Sequence, residues 1–177
     1  RNGRVGLIGT EPTIRSGAYE RRIAREAPSV RVLAGACPLF VPLVENGRFR
    51  PGDVVAETVA EEYLAPMKEA GVDTLVLGCT HYPLLMEVIG TCMGPEVALI
   101  NVGATCAATV AERLGAMDAL NPGGAGESRF YVSDSVDGFS RLASVFLQRD
   151  VQEAVTLVDI WTYPPGPPAL ANRLELG

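Results

Sequence analysis

The 177-residue sequence holds one histidine, one tryptophan and only four cysteines. Cys37, Cys79, Cys92 and Cys106 lie far apart, with no Cys-x-x-Cys spacing. That spacing points to neither a zinc site nor a disulfide framework, so no metal is expected and a reducing, cytoplasmic setting is. No apolar run reaches the roughly 18 residues of a membrane span, and no signal-peptide pattern opens the chain. An excess of positive charge is also missing. The formal charge is −6 and the sequence pI about 4.8, which argues against nucleic acid as a partner because phosphate recognition needs a basic patch. The glycine-rich stretch 121–126 has no Lys-Ser/Thr after it and so is not a phosphate loop. An initiator methionine is absent too. The chain enters an apolar strand almost at once, and it is expected to be part of a longer protein.

What is present is enough apolar material for a sizeable core: 47% of residues are hydrophobic and 20% charged. Short apolar runs at 5–10, 30–36, 74–78 and 97–102 read as strands. Helical patterns lie between them. Residues 14–26 place Tyr19, Ile23 and Ala27 on one face and scatter arginines over the rest, a solvated surface interrupted by Glu20 and Glu26. Residues 37–45 read as an apolar loop with two prolines, and 46–53 as an exposed turn. Residues 54–70 form a helix in which Val55, Val59, Tyr63 and Met67 recur at i+4, with Pro66 kinking or shortening its end and Gly71 closing it. A further helix runs from Pro83 to about Cys92, and another over 104–114. After the 121–126 linker come a strand at 130–132, a helix from about 136 to 147 that Asp134 or Ser135 caps, and a strand at 155–158. Residues 163–177 are rich in proline and read as a mobile tail. Strand and helix alternate four times up to residue 103. The expected fold class is therefore α/β, a three-layer α/β/α arrangement around a parallel sheet.

The stretch with chemical content is Leu77-Gly78-Cys79-Thr80-His81-Tyr82-Pro83-Leu84-Leu85. A buried strand ends at a glycine, and a thiol, a hydroxyl and an imidazole follow before Pro83 opens a helix. Open α/β sheets bind ligands beyond the carboxyl ends of their strands, and a helix N-terminus favours a thiolate. An isolated cysteine in an apolar stretch is more often a small buried hydrophobe, and a lone histidine more often a structural group. The combination of Cys79, Thr80 and His81 at one turn outweighs both readings.

This motif closely resembles the second cysteine motif of glutamate racemases, in the aspartate/glutamate racemase superfamily. Aspartate racemases typically carry an acidic residue at the position of His81, so that histidine favours the glutamate branch. Residues 5–10 with Thr13 and 16–19, the run 36–45, residues 130–135 and 155–161 are similar to other segments of the family, which extends the resemblance over 5–161. The family fold has two facing α/β lobes, each carrying one cysteine. The Asp-Ser-Gly and Cys-Asn-Thr motifs of the first lobe are absent here. The resemblance therefore implies a lobe at 1–103 bearing the second cysteine, a segment at 104–162 returning to the first lobe, and the tail. One departure stands at Asn101-Val102, where the family usually has Asp and Ser.

The resemblance implies interconversion of L- and D-glutamate without a cofactor, for peptidoglycan synthesis, by a protein that is often a homodimer; with the opposing cysteine missing, this chain alone is expected to lack racemase turnover. Two opposed acid/base groups suit a reaction that removes the α-proton from one face and returns one to the other. Cys79 would serve one face, His81 would assist it, and Glu45 would orient His81. Thr10, Thr13 and Thr80, with His81, would contact the substrate. From the residues alone, Thr10 and Thr13 equally suit helix capping, and Glu45 suits a solvated loop carboxylate. Cys37 is a tempting second base at a position that is structural in the family, and Cys92 and Cys106 suit helix packing. The competing functions are another racemase or isomerase of the superfamily, acting on aspartate, a hydantoin or maleate, and a truncated lobe that binds without catalysis.

Overall fold

The computed structural model describes residues 2–123 and 126–162. They divide into two compact units between residues 122 and 123, so the boundary falls within the glycine-rich linker and leaves residues 104–122 with the first unit.

Four strands build the first unit: β1 (Arg4–Gly9), β2 (Arg31–Ala36), β3 (Thr74–Leu77) and β4 (Ala98–Asn101). They pair in the order β2-β1-β3-β4, and all three pairings are parallel. Leu7 and Ile8 are adjacent on β1 and point to opposite faces, yet each is 0% exposed. Both faces of the central strand are therefore covered, as the expected layered arrangement requires. Leu75, Leu77, Leu85 and Ile89 are buried in the same unit, each contributing about 1.5–3 kcal/mol by leaving water.

The helices depart from the sequence reading in instructive ways. The single helix expected at 14–26 is two, α1 (Glu11–Ser16) and α2 (Ala18–Glu26). Gly17 separates them at φ +59°, a left-handed conformation that glycine adopts without steric penalty. The apolar loop at 37–45 contains a helix, α3 (Phe40–Glu45), which buries Phe40 and Val44. Pro42 is accepted because it lies in the first turn, where a backbone N–H has no intrahelical acceptor. Next comes α4 (Val54–Glu69), capped by Asp53, whose Oδ1 accepts from Val55 N at 3.0 Å and Ala56 N at 3.1 Å. Pro66 sits inside its last turns, and the helix still reaches Glu69 before Gly71 turns left-handed at φ +64°.

Of the expected α4 stripe Val55, Val59, Tyr63 and Met67, only Met67 is buried; Ala56, Ala60 and Leu64 make up the rest of the buried face, and Val55 is exposed. Small side chains let the helix approach the sheet closely. Met67 fills the space over two strand glycines: a Cβ on Gly6 would meet its Sδ at 3.2 Å, and one on Gly35 its Cε at 3.0 Å.

Beyond β3 the chain makes a 3-10 turn over Tyr82–Leu85 and then α5 (Met86–Met93). β4 ends a residue earlier than expected because Asn101 caps α6 (Val102–Ala116), its Oδ1 accepting from Ala104 N at 3.1 Å. No residue of α6 is buried, Cys106 included. The expectation that Cys106 packs a helix therefore does not hold, whereas Cys92 on α5 is buried.

The second unit contains β5 (Phe130–Val132), α7 (Val136–Leu147), a 3-10 turn over Gln152–Ala154 and β6 (Val155–Leu157). β5 and β6 pair in parallel. Ser135, not Asp134, caps α7, with Oγ accepting from Gly138 N at 3.0 Å. Phe139 of α7 meets Phe130 of β5 at 5.9 Å between ring centroids. The tail expected at 163–177 lies outside the described residues. Among the described residues no helix is long and apolar enough to cross a membrane.

Candidate functional site

The strand order fixes where a site belongs. From β1 the chain moves to β2 on one side. It then crosses back over β1 to β3 and continues outward to β4. The direction of winding reverses between β1 and β3, and in parallel α/β sheets the crevice at that reversal, beyond the carboxyl ends, receives ligands. The last registered pair of those two strands is Ile8 with Leu77. Two residues further along each chain stand Thr10 and Cys79.

Gly78 explains how the two strands stay close at that rim. Its N–H donates to the Ile8 carbonyl at 2.8 Å. A Cβ at this position would lie 2.9 Å from the same carbonyl oxygen. A side chain here would push the backbones apart just before the thiol. Cys79 is half-buried and Thr80 exposed.

His81 and Glu45 meet, although they stand 36 positions apart in the sequence. Nε2 of His81 lies 3.3 Å from Oε1 of Glu45, and its Nδ1 lies 3.3 Å from the Thr80 hydroxyl. The carboxylate sits at the end of α3, the helix that the apolar run 37–45 conceals. Thr10 and Thr13 also come together, their hydroxyls 3.0 Å apart. Thr10 occupies the N-cap of α1, but its side chain makes no capping bond to the helix backbone. Its hydroxyl is therefore not spent on capping.

Cys37 is a different kind of thiol. It is 1% exposed, and burial pushes its pKa up to about 12. A thiol so far from ionising does not suit a base at neutral pH. Cys92 is pushed up as well, to about 11, by burial and then by the Glu61 carboxylate that accepts its hydrogen bond. Among the described residues no three His, Cys, Asp or Glu side chains cluster in a way that could hold a metal ion.

Sequence reasoning missed the support beneath the site. Tyr82 is 0% exposed and donates its hydroxyl to the Cys37 carbonyl at 2.9 Å. Its position next to His81 was visible. Its partner, 45 residues earlier in the chain, was not.

Fold and site together define an α/β lobe, parallel throughout its sheet, with a thiol and a carboxylate-paired imidazole following its third strand. The family described as Asp/Glu/Hydantoin racemase matches residues 1–111, and the chain belongs to it. It is 51% identical to a glutamate racemase of Geobacter metallireducens over 148 residues, which cover 83% of this chain and 54% of that protein. Two solved structures are similar. One is glutamate racemase of Francisella tularensis in complex with D-glutamate, with a TM-score of 0.81 at 33% identity, covering 91% of this chain and 59% of that one. The other is a glutamate racemase isoform of Bacillus anthracis, with a TM-score of 0.81 at 31% identity and coverages of 90% and 59%. The chain thus spans a little over half the length of these relatives.

Proposed function

We propose that this chain supplies one side of a cofactor-independent glutamate racemase, with Cys79 as the acid/base thiol for one face of the α-carbon. The observation that carries the reading is a half-buried thiol beyond the carboxyl end of β3, two residues from an imidazole held 3.3 Å from Glu45. As thiolate, Cys79 takes the α-proton. A second acid, from the lobe that 104–162 returns to, delivers a proton to the opposite face. Two groups are needed because a single base holding its proton mostly returns it to the face it came from. His81 assists proton traffic at Cys79, and Glu45 keeps the ring aimed. Thr10, Thr13 and Thr80, with His81, make hydrogen bonds to the substrate's carboxylates or amine. Such fixed donors matter because no cofactor is proposed to absorb the carbanion's charge. The names of the relatives, and D-glutamate bound to the Francisella racemase, support glutamate as substrate. The reading extends to a cytoplasmic homodimer that provides D-glutamate for peptidoglycan.

The test is incubation with L-glutamate in deuterium oxide, following α-proton loss and optical rotation together. The expected result is α-proton loss without inversion, abolished in Cys79→Ser. Inversion that survives Cys79→Ser overturns the assignment of the thiol. Faster exchange on L-aspartate than on L-glutamate overturns the substrate. Binding of glutamate with no exchange leaves a binding lobe and overturns the catalytic reading.

A further inference from the structure

Glu45 and His81 belong to different elements, α3 and the turn after β3, and something must hold the two in register. The aromatic residues between them form a closed circuit. The Cys37 carbonyl accepts from the Tyr82 hydroxyl at 2.9 Å and also from Phe40 N at 3.2 Å. Cys37 N donates to the Gly9 carbonyl at 2.9 Å, which ties the same turn to the end of β1. Tyr63 of α4 closes the other side, its hydroxyl accepting from Leu39 N at 3.4 Å. Between the two phenols lies Phe40, edge-to-face with Tyr63 at 5.4 Å and with Tyr82 at 5.2 Å. Phe40 and Tyr82 are both 0% exposed.

We propose that Tyr82 is a positioning residue for the proposed reaction: through the Cys37 carbonyl and Phe40 it clamps α3 against the Cys79–His81 turn and so sets the distance between Glu45 and His81. The circuit runs from His81 to Tyr82 along the chain, to Cys37 by the hydrogen bond, along α3 to Glu45, and back to His81 by the 3.3 Å contact. Each link is short and directional. Rotation of α3 or of the turn alone breaks one of them. Burial pushes the Tyr82 phenol up, so the hydroxyl stays protonated and remains a donor.

The inference rests on the proposed function for its significance, but its test does not use substrate. His81 is the only histidine, so its ring gives one pair of nitrogen resonances in labelled protein. In the parent chain, Glu45→Gln is expected to move those resonances. In a Tyr82→Phe background, which keeps the ring and removes the hydroxyl, the same Glu45→Gln change is expected to move them far less. Phe40→Leu, which leaves the hydroxyl but loosens the ring contacts, is expected to weaken the coupling too, and gives a reading if Tyr82→Phe does not fold. Ile89→Val, a buried change elsewhere on the lobe, is expected to lower stability and leave the coupling intact. Full coupling in folded Tyr82→Phe overturns the proposal, as does equal loss in Ile89→Val. Failure of glutamate exchange in deuterium oxide would remove the catalytic reading without touching this result.

Discussion

At the scale of single residues the four cysteines separate by environment. Cys37 and Cys92 are buried, Cys79 is half-buried and Cys106 exposed. Iodoacetamide at pH 7.5 is expected to alkylate Cys106 and Cys79 well before Cys37 and Cys92. Peptide mass spectrometry of a time course checks this, and early labelling of Cys37 would contradict its burial and its pKa of about 12. Gly78 makes a second expectation at this scale. A methyl group 2.9 Å from the Ile8 carbonyl cannot be absorbed by a side-chain rotation, because the obstacle is backbone. Gly78→Ala is expected to destabilise the protein by about 1–3 kcal/mol, the usual range for overpacking, and to slow any chemistry at Cys79. Urea unfolding measures the first effect and glutamate exchange the second.

At the scale of elements, α4 depends on its cap. Asp53 accepts from two backbone N–H groups and pairs with Arg48 at 3.0 Å. The Arg48 guanidinium, and then the Ala56 N–H, hold its carboxyl below the usual carboxylate range. A lowered folded pKa contributes stability above the unfolded value of about 3.9, and that contribution is lost as pH falls through the folded value. Asp53→Asn keeps a capping oxygen but removes the charge. The stability difference between parent and variant is expected to be constant from pH 7 to 5 and to shrink towards zero at lower pH. A difference that grows on acidification would sink the assignment. The elements also mark how far sequence carries. The β1 and β3 runs were legible because the inner strands of a parallel sheet are near-continuously apolar. The break at Gly17 was not, because nothing in a helical pattern announces one left-handed residue. The run 37–45 hid α3 because its two prolines read as loop, while one of them sits harmlessly in a first turn. The thiol, the imidazole and the threonines were visible as residue types at a strand end. Glu45 came only from the resemblance, and Tyr82's partner came from neither, since a hydrogen bond across 45 residues leaves no local signal.

At the scale of the whole molecule, the described residues differ widely in how much they bury. Strands β1 and β3 each pair on both sides and hold the core. Helix α6 buries nothing, and β5 and β6 form a sheet of only two strands, which is marginal in isolation. Local opening follows burial and hydrogen bonding. Amide hydrogen exchange is expected to be slowest at Leu7, Ile8, Leu75 and Leu77 and fastest, among the described elements, in α6, β5 and β6. Equal protection throughout would mean that α6 is covered in solution, and sedimentation at several concentrations would then show whether a second copy covers it.

The order β2-β1-β3-β4 has a mechanical consequence. In a twisting plate, displacement grows with distance from the midline. β2 and β4 are the margins of this plate, and the two strands leading to Thr10 and Cys79 flank the midline. Twisting is therefore expected to move the rim that carries those two residues less than it moves the outer strands.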